Sequence, residues 1–418
     1  MSQFRSAFHF LLATGAKVLS GLLVIKLLAW SVGPVGFGLL SQLMGLVAIV
    51  GMLSGGGIAN GVIKALAENR VSTAERKRWM ANAIAITLSF SAVLALVLAI
   101  ASPFIVDGLL QGQFSTAILV LAVAQVFVGI GTLLLAEASS RGDSRQYAVI
   151  NVFGAAFGAA LVGAGAFWFG LNGAAIAVAL APSMVGILGL VMMVGSGRRW
   201  VLARPTVEWK RIRHLMSFST LTLVGALSVP LAQIYIRESM GTHYSWESVG
   251  YWQGAVRISD VYMQFVGVVL INHALPRFST RELPYAVLEL KRIVAWLVGF
   301  LAVSFMAFWP VKDFAIALVF SESFLPMGKY LFPQMAGDLL RTVASAFSFF
   351  LLARGHIRVP LGFEFAQGLG LFIGFQLLAG NYSEMAPVYA HVATYLVLAG
   401  VLGAQLRRSF FPGGSTAL

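Results

Sequence analysis

Long apolar segments are the feature that most restricts what this chain can fold into. Twelve successive stretches are long enough to cross a hydrocarbon core of about 30 Å as helices. They lie near residues 10–32, 37–62, 80–103, 115–138, 147–168, 173–195, 214–237, 249–274, 292–311, 329–352, 360–380 and 386–406. Hydrophobic residues make up 59% of the chain and charged residues 11%, which excludes an ordinary soluble domain. The sequence predicts an all-α integral membrane protein with twelve transmembrane helices.

The net charge of +13 is distributed asymmetrically between the loops. About 22 of the 29 Lys and Arg lie in alternate loops and at the two ends of the chain. The opposite loops hold only Lys312 and Lys329. By the positive-inside rule, both termini and the basic loops are cytoplasmic. The excess charge therefore reports membrane topology, and it does not indicate a nucleic-acid partner.

Short matches recur in the same order in the two halves of the sequence. In the two clearest matches, VGF at 35–37 corresponds to VGY at 249–251, and RGDSR at 141–145 corresponds to RGHIR at 354–358. Because each half then contains six spans, both enter the membrane in the same orientation, an arrangement typical of transporters. The matches predict two six-helix lobes related by a parallel pseudo-twofold repeat. The predicted division is an N-terminal lobe over 1–195, a basic cytoplasmic linker over 196–213 and a C-terminal lobe over 214–418.

Two of the apolar segments carry a polar stripe at helical spacing. The stripes consist of Gln253, Arg257, Asp260 and Gln264 in the first, and Gln334, Asp338 and Arg341 in the second. Each stripe has an Asp and an Arg three positions apart, which leaves two interpretations open. Either each pair is an intrahelical ion pair that fixes packing, or the arginines present positive charge to an anionic substrate in a cleft between the lobes. An Arg fork suits phosphate oxygens.

Three further bases, Lys17, Lys26 and Arg237, lie inside predicted spans. A charged side chain at the centre of a lone spanning helix costs roughly 2.5 to 3.5 kcal/mol, so these groups need water or a partner. Lys26 and Arg237 occupy equivalent places in the two halves, and they either extend to the headgroups or face the cleft. Lys17 lies on the opposite helix face from Lys26, and its greater depth favours Lys17 for the cleft.

Two glutamates are candidates for coupling to protons. Glu364 has no base one turn away and can therefore be protonated, whereas Glu137 has Arg141 four residues on, which favours its ionised form. His273 and His391 are interpreted as packing residues rather than ligands. The SGGG run at 54–57 either breaks its helix or lets a neighbouring helix approach, and close packing is the favoured interpretation.

Several catalytic classes lack their signatures in this sequence. It contains no GxxxxGK, HExxH or GxSxG motif, so neither a nucleotide-driven motor nor a common hydrolase is indicated. It also contains no cysteine and no metal-ligand cluster, and we expect neither a metal nor a cofactor. The residues favour a transporter without covalent chemistry over an enzyme.

Four stretches of the sequence resemble those of a known family. They are AKVLSGLLVIKLLAWSVGPVGFGLL, GMLSGGGIANGVIKALAE, SVPLAQIYIRESMGTHYSWESVGYWQGAVRISDVYMQF and MAGDLLRTVASAFSFFLLARG. Together they resemble the Wzx-type polysaccharide flippases of the multidrug/oligosaccharidyl-lipid/polysaccharide (MOP) exporter superfamily. The resemblance covers nearly the whole chain and is greatest to the branch that serves enterobacterial common antigen, although the family does not require an arginine at Arg257.

The resemblance implies a fold, a location and a substrate. The fold is a V-shaped alternating-access transporter of two six-helix lobes in the bacterial inner membrane. The substrate is an undecaprenyl-diphosphate-linked oligosaccharide, of the enterobacterial common antigen or O-antigen type, moved from the cytoplasmic to the periplasmic leaflet. Expected partners are membrane lipids and a glycan polymerase and chain-length regulator of the same pathway.

The resemblance also gives the polar residues expected roles. The residues expected to hold the diphosphate are Lys17, Arg257 and Arg341, together with Arg237 and Lys26. The residues expected to meet the sugars are Gln253, Asp260, Gln264, Gln334 and Asp338. Since the repeat aligns Arg257 with an apolar position of the first half, Arg257 is the first choice for mutation.

Other functions stay open on the sequence. An ion-coupled multidrug or cation antiporter of the same superfamily would be expected to have a net acidic cleft, whereas bases outnumber acids among the buried groups here. A membrane-embedded glycan polymerase or ligase would need longer periplasmic loops. An uncoupled lipid scramblase is not distinguished, because the sequence shows no energy source.

Overall fold

The fold is described by a computed structural model that covers residues 2–67, 72–195, 204–217 and 219–410. Within these ranges the chain consists of helices joined by short turns, and it contains no β-strand. Eight helical segments of the described residues are long and apolar enough to cross a membrane. The prediction of an all-α, multi-pass membrane protein is confirmed.

The chain forms two compact units, Met1–Leu227 and Ser228–Leu418. The first contains α1 (Ser2–Ser54), α2 (Ala59–Ala67), α3 (Thr73–Leu109), α4 (Ser115–Ser140), α5 (Ser144–Leu180), α6 (Ser183–Gly195) and α7 (Trp209–Met216). The boundary falls inside α8 (Ser219–His243). The second continues with α9 (Trp246–Val269), α10 (Leu275–Thr280), α11 (Leu283–Phe308), α12 (Lys312–Val319), α13 (Gly328–Ala353), α14 (Arg358–Tyr382) and α15 (Ala386–Phe410). Residues 196–203 of the predicted linker lie outside the described ranges, and the predicted lobe boundaries stay a prediction.

Two long helices of the first unit, α1 and α5, contain a backbone break at a glycine. Gly33 in α1 has φ 65° and ψ −174°, and Gly170 in α5 has φ 58° and ψ −143°. Positive φ suits glycine, and at the first break Pro34 follows directly. An added Cβ would meet no atom within 4 Å at either position. The predicted spans at 10–32 and 37–62 are therefore parts of one helical segment that is interrupted at Gly33.

The SGGG run ends α1. The chain leaves the helix after Ser54, and α2 begins at Ala59. The same run also permits close packing, because a Cβ added to Gly57 would lie 2.9 Å from Cγ of Leu223 at the start of α8. The preference for close packing over a break was therefore wrong in part, since the structure has both.

The described end of the predicted linker and the helix α7 are packed onto other helices of the first unit. α7 packs on α2 and α3 through Leu215. Arg211 donates to both carboxylate oxygens of Glu75, at 2.9 and 3.2 Å, and to Glu208 at 2.7 Å. The hydrogen bonds to Glu75 raise the pKa of Arg211 above its ordinary value, so this side chain stays cationic. Asn82 adds a second attachment by accepting from the backbone N–H of Glu208 at 2.7 Å.

α13 lies at the centre of the second unit and packs against α9, α11, α14 and α15. Apolar side chains fill the core on one side of it, where the fully buried rings of Phe278 and Phe350 are 5.2 Å apart at 63°. α9 continues past Val269 through a π-helical turn, Leu270–Ala274, into α10. The other side of α13 carries the polar stripe.

Candidate functional site

A cavity of about 170 Å³ lies inside the second unit. It is lined by side chains of α8, α9, α13, α14 and α15, and its polar members are Gln233, Ser259, Asp260, Gln334, Arg341, His391 and Tyr395. Pockets for drug-sized ligands occupy roughly 300 to 1,000 Å³, so this cavity suits one phosphate group or one face of a sugar.

Asp338 is the centre of a hydrogen-bond cluster beside the cavity, and its side chain is completely buried. Oδ2 of Asp338 accepts from the hydroxyls of Ser259 at 2.5 Å and Tyr262 at 2.6 Å. Oδ1 lies 3.0 Å from Nε2 of His391. Hydrogen bonds to an ionised carboxylate are short and roughly twice as strong as neutral ones. The cluster therefore compensates a carboxylate that would be costly to bury alone.

Helical spacing brings the members of this cluster together from three helices. Ser259 and Tyr262 are three residues apart on α9 and so share a face, while Gln334 and Asp338 are four apart on α13. His391 contacts both positions from α15. Nε2 of Gln334 lies 3.5 Å from the hydroxyl of Ser259 and 3.3 Å from Nε2 of His391.

Arg341 brings positive charge to the cavity. It lies one turn beyond Asp338 on α13, and its guanidinium carbon is 5.7 Å from the centroid of the Tyr395 ring. The Tyr395 hydroxyl donates to Gln367 at 2.8 Å, and Gln367 donates to Glu364 at 2.9 Å. A chain of contacts therefore connects Arg341 to Glu364, one of the two candidates for coupling to protons.

The Asp and Arg of α9 are arranged differently from those of α13. Nη1 of Arg257 lies 3.2 Å from Oδ2 of Asp260, and the two side chains are 26% and 44% exposed. The interpretation of an intrahelical ion pair is right for α9. It is wrong for α13, because the carboxylate of Asp338 is bonded to α9 and α15 instead. Gln264, the last residue of the α9 stripe, is exposed.

Arg237 and Gln253 form a buried pair between α8 and α9. Nη1 of Arg237 donates to Oε1 of Gln253 at 3.2 Å, and Arg237 is only 2% exposed. Because the guanidinium lies inside the unit, the interpretation that it extends to the lipid headgroups is wrong. Its contact with Gln253 also ties together two residues that the sequence assigned to different parts of the substrate.

Three predicted site residues belong to the first unit. Lys26 lies on an exposed face of α1, and the side chain of Lys17 lies outside the described part of the structure. Glu137 is completely buried on α4, where it is ion-paired with Arg76 at 3.3 Å and with Arg141 one turn further on. The carboxylate of Glu137 is therefore held between two guanidinium groups.

Sequence reasoning missed several members of the cluster, namely Ser259, Tyr262, Gln367 and Tyr395, and it named His391 only as a packing residue. The signal that could have found them is a second spacing. His391 and Tyr395 are four apart on an otherwise apolar helix, and Ser259 and Tyr262 border the α9 stripe. Polar residues in spanning helices normally face the bundle interior, which holds for hydroxyls and histidines as well as for charges.

The chemistry of the cavity is that of noncovalent binding to polar groups. The fork of Arg341 can hold an anion, and the amide of Gln334 and the carboxylate of Asp260 can bond to hydroxyls. The rings of Trp252 and Tyr395 offer apolar faces. Across the described ranges, no three His, Asp or Glu side chains are grouped so that they could hold a metal ion.

Known structures share this fold. An inward-facing multidrug resistance MATE family transporter of the MOP superfamily matches with a TM-score of 0.75 at 17% identity, covering 97% of this chain and 96% of that one. The lipid II flippase MurJ, in an inward closed conformation, matches with a TM-score of 0.74 at 11% identity, covering 97% of this chain and 87% of that one. This chain therefore shares the fold of these two membrane proteins.

Two sequence comparisons show to which protein family the chain belongs. A family model described as polysaccharide biosynthesis protein matches residues 4–281. The lipid III flippase of Escherichia coli (strain K12) is 30% identical over 396 residues, which cover 92% of this chain and 93% of that protein. The chain belongs to the polysaccharide biosynthesis protein family, and the resemblance to polysaccharide flippases seen in the sequence is confirmed.

Proposed function

We propose that this protein is a flippase that moves an undecaprenyl-diphosphate-linked oligosaccharide from the cytoplasmic to the periplasmic leaflet by alternating access. The observation that carries the proposal is the 30% identity, over 92% of the chain, to a lipid III flippase. The substrate is a glycan of the enterobacterial common antigen or O-antigen type. The pathway's glycan polymerase and chain-length regulator are the expected partners.

The polar groups of the second unit support this proposal. Arg341, and more peripherally Arg257, are suited to the diphosphate, because a guanidinium fork matches phosphate oxygens. Gln334 and Asp260 line the cavity and are suited to sugar hydroxyls. Asp338 already contacts Ser259, Tyr262 and His391, so its proposed role is to position α9 and α15 around the cavity. The small cavity accommodates one group of the substrate at a time.

The remaining predicted site residues keep narrower proposed roles. Arg237 holds Gln253 and supplies long-range positive charge, since its own side chain is buried. Lys17 and Lys26 are proposed diphosphate contacts of the first unit. Glu364 is the better proposed proton carrier, because Glu137 is held by two arginines. Proton coupling predicts that an opposing pH gradient changes the flipping rate, and Glu364→Gln tests this dependence.

We further propose twelve crossings of the bacterial inner membrane with both termini in the cytoplasm, arranged as two six-helix lobes. Two of the eight apolar segments, Leu19–Ala67 with 49 residues and Arg358–Phe410 with 53, are long enough for two crossings each. The break at Gly170 and the helix α8 supply the remaining two. Because the chain has no cysteine, single cysteines in each loop, labelled from outside intact spheroplasts, test this topology without background.

The function is tested by reconstitution in liposomes. Purified protein is supplied with a fluorescent undecaprenyl-diphosphate-linked glycan, and dithionite added outside reports the glycans that have moved. We expect protein-dependent movement that depends on the sugar and responds to an imposed ion gradient. Movement of phospholipids without a glycan requirement would indicate a scramblase, and drug resistance in cells without glycan movement would indicate an antiporter. Elongation of the glycan by the protein alone would indicate a polymerase.

A further inference from the structure

A second and larger cavity lies on the surface of the second unit. It is an open groove of about 740 Å³ between α9, with its π-helical extension, and α11. Phe265 on α9 lines the groove, and Val256 on the same helix lines the polar cavity. These residues are 265 − 256 = 9 positions apart, about 900° of helical rotation, and therefore lie on opposite faces. The groove faces away from the proposed transport site.

One end of the groove is aromatic. The ring centroids of Phe265, Trp296 and Phe300 are 5.3 to 6.2 Å apart, and Trp296 and Phe300 are stacked at an interplanar angle of 14°. The side chains are nevertheless 41%, 53% and 45% exposed. On helices that cross a membrane, exposed rings of this kind contact lipid rather than water. The wall therefore suits a hydrocarbon chain.

The other end carries an excess of positive charge. Glu289, with its side chain 10% exposed, lies 3.3 Å from Arg277, 3.7 Å from Arg292 and 4.0 Å from Arg281, measured from nitrogen to oxygen. The three guanidinium groups are 43%, 67% and 47% exposed, respectively. One carboxylate against three arginines leaves two positive charges uncompensated. This end of the groove therefore suits an anion.

Along α11 the basic end of the groove comes first and the aromatic end follows, which is the order of the headgroup and the acyl chain in a lipid. Trp296 is one turn beyond Arg292 on α11, about 6 Å along the axis, and Phe300 is about 12 Å along. The π-helical turn adds the polar side chains of Asn272 and His273 near the basic end. Turns of this type occur frequently at functional sites. Basic pockets between transmembrane helices on the cytoplasmic side bind anionic headgroups.

We propose that this groove is a binding site for an anionic phospholipid of the cytoplasmic leaflet. The lipid phosphate lies on Arg277 and Arg292, and one acyl chain runs along the aromatic wall. The leaflet follows from the proposed topology, in which the basic stretch at 277–292, around the turn between α10 and α11, is on the cytoplasmic side. The transported lipid is the alternative occupant that the displacement experiment below distinguishes. The bound lipid joins α9 to α11 and is a partner distinct from the cargo.

The experiment uses Trp296 as the reporter. The protein has nine tryptophans, so its signal is the fluorescence difference between wild type and Trp296→Phe. Both are reconstituted in phosphatidylcholine vesicles that contain a minor fraction of brominated phosphatidylglycerol or of brominated phosphatidylcholine. We expect the relative affinity at Trp296 to favour the brominated phosphatidylglycerol by about 30-fold, since each of the two arginines contributes about 1 kcal/mol to anionic lipid binding. Equal quenching by the two lipids would overturn the proposal.

Arg292→Gln and Lys291→Gln are the matched variants. Each removes one positive charge from the exposed side of α11, but only Arg292 lines the groove. We expect Arg292→Gln to lower the preference about fivefold and Lys291→Gln to leave it unchanged. Equal losses would assign the preference to general surface charge and overturn the site. Displacement of the brominated lipid by a polyprenyl diphosphate more readily than by phosphatidylglycerol would assign the groove to cargo, and also overturn it. Neither outcome bears on whether glycan is flipped.

Discussion

α9 and α13 carry the same pattern, an Asp and an Arg three residues apart, and use it in opposite ways. On α9, Arg257 and Asp260 pair with each other at a partly exposed position. On α13, Asp338 is completely buried and bonded to two other helices, which leaves Arg341 to stack on an aromatic ring. Equal spacing therefore does not imply an equal role.

The difference shows what decides the partner of a buried acid. Where the facing helices offer hydroxyls and an imidazole, as they do to Asp338, the carboxylate bonds across helices and holds them together. Where they do not, the intrahelical arginine is the nearest partner. The free energy at stake also differs, because exposed ion pairs contribute about 0 to 1 kcal/mol, whereas breaking a buried pair costs about 3 to 5 kcal/mol.

The largest expected difference is between the loss of stability on removal of the Asp338 carboxylate and the loss on removal of the Asp260 carboxylate. Asp338→Ala should lower the free energy of unfolding by about 3 to 5 kcal/mol, because it leaves His391 and two hydroxyls without their acceptor. Asp260→Ala, the matched variant, should cost about 0 to 1 kcal/mol. Equilibrium unfolding in mixed detergent micelles measures both. Similar losses of stability in the two variants would show that the contacts of Asp338 and those of Asp260 are equally strong.

The next effect concerns the two arginines and glycan flipping. Arg341→Gln should slow flipping about 10- to 100-fold, since a charge-assisted contact contributes about 1.5 to 3 kcal/mol. Arg257→Gln should slow it less, because Arg257 is already paired with Asp260. This ranking reverses the order drawn from the sequence. Rates in the liposome assay test it, with Arg408→Gln at the exposed end of α15 as the control, and a larger loss for Arg257→Gln would contradict it.

A smaller difference should appear in double-mutant cycles. The coupling energy between Asp338 and His391 should be about 1 to 3 kcal/mol, measured from the Asp338→Asn and His391→Gln variants and their combination. For Asp260 and Arg257 it should be about 0 to 1 kcal/mol. The measured quantity is the free energy of unfolding of the four proteins in each cycle. A coupling as weak at Asp338 as at Asp260 would remove the distinction between the helices.

The smallest effect is the response to salt. The destabilisation caused by Arg257→Gln should become smaller in molar salt, because ions screen a partly exposed pair. The cost of His391→Gln should stay the same, since its partner is buried. Thermal unfolding of the two variants at low and high salt measures both costs. Equal changes with salt in the two variants would contradict the prediction.

Much of the fold could be predicted from composition and segment length. Apolar segments of about 20 residues leave helices as the main solution in a bilayer, so the helical class follows directly. The interruptions were harder to predict. The SGGG run at 54–57 signals both a break and a close contact, and only the neighbouring side chains show that both occur.

The site was predicted only in part, for a physical reason. Charged residues stand out in an apolar helix because burying them is costly, so Arg341 and Asp338 were found. The partners that reduce this cost, Tyr262 and His391, are less conspicuous and come from helices distant in sequence. Their contribution depends on which faces meet, and periodicity within one helix does not specify that.

The breaks at Gly33 and Gly170 have a consequence for chirality. Their torsions are near the mirror image of polyproline II. L-alanine would be strained there by its positive φ, whereas D-alanine would find its own favoured region. A semisynthetic D-alanine at either site should therefore keep the break without backbone strain and, by restricting the unfolded chain, stabilise the protein by about 0.4 to 1 kcal/mol.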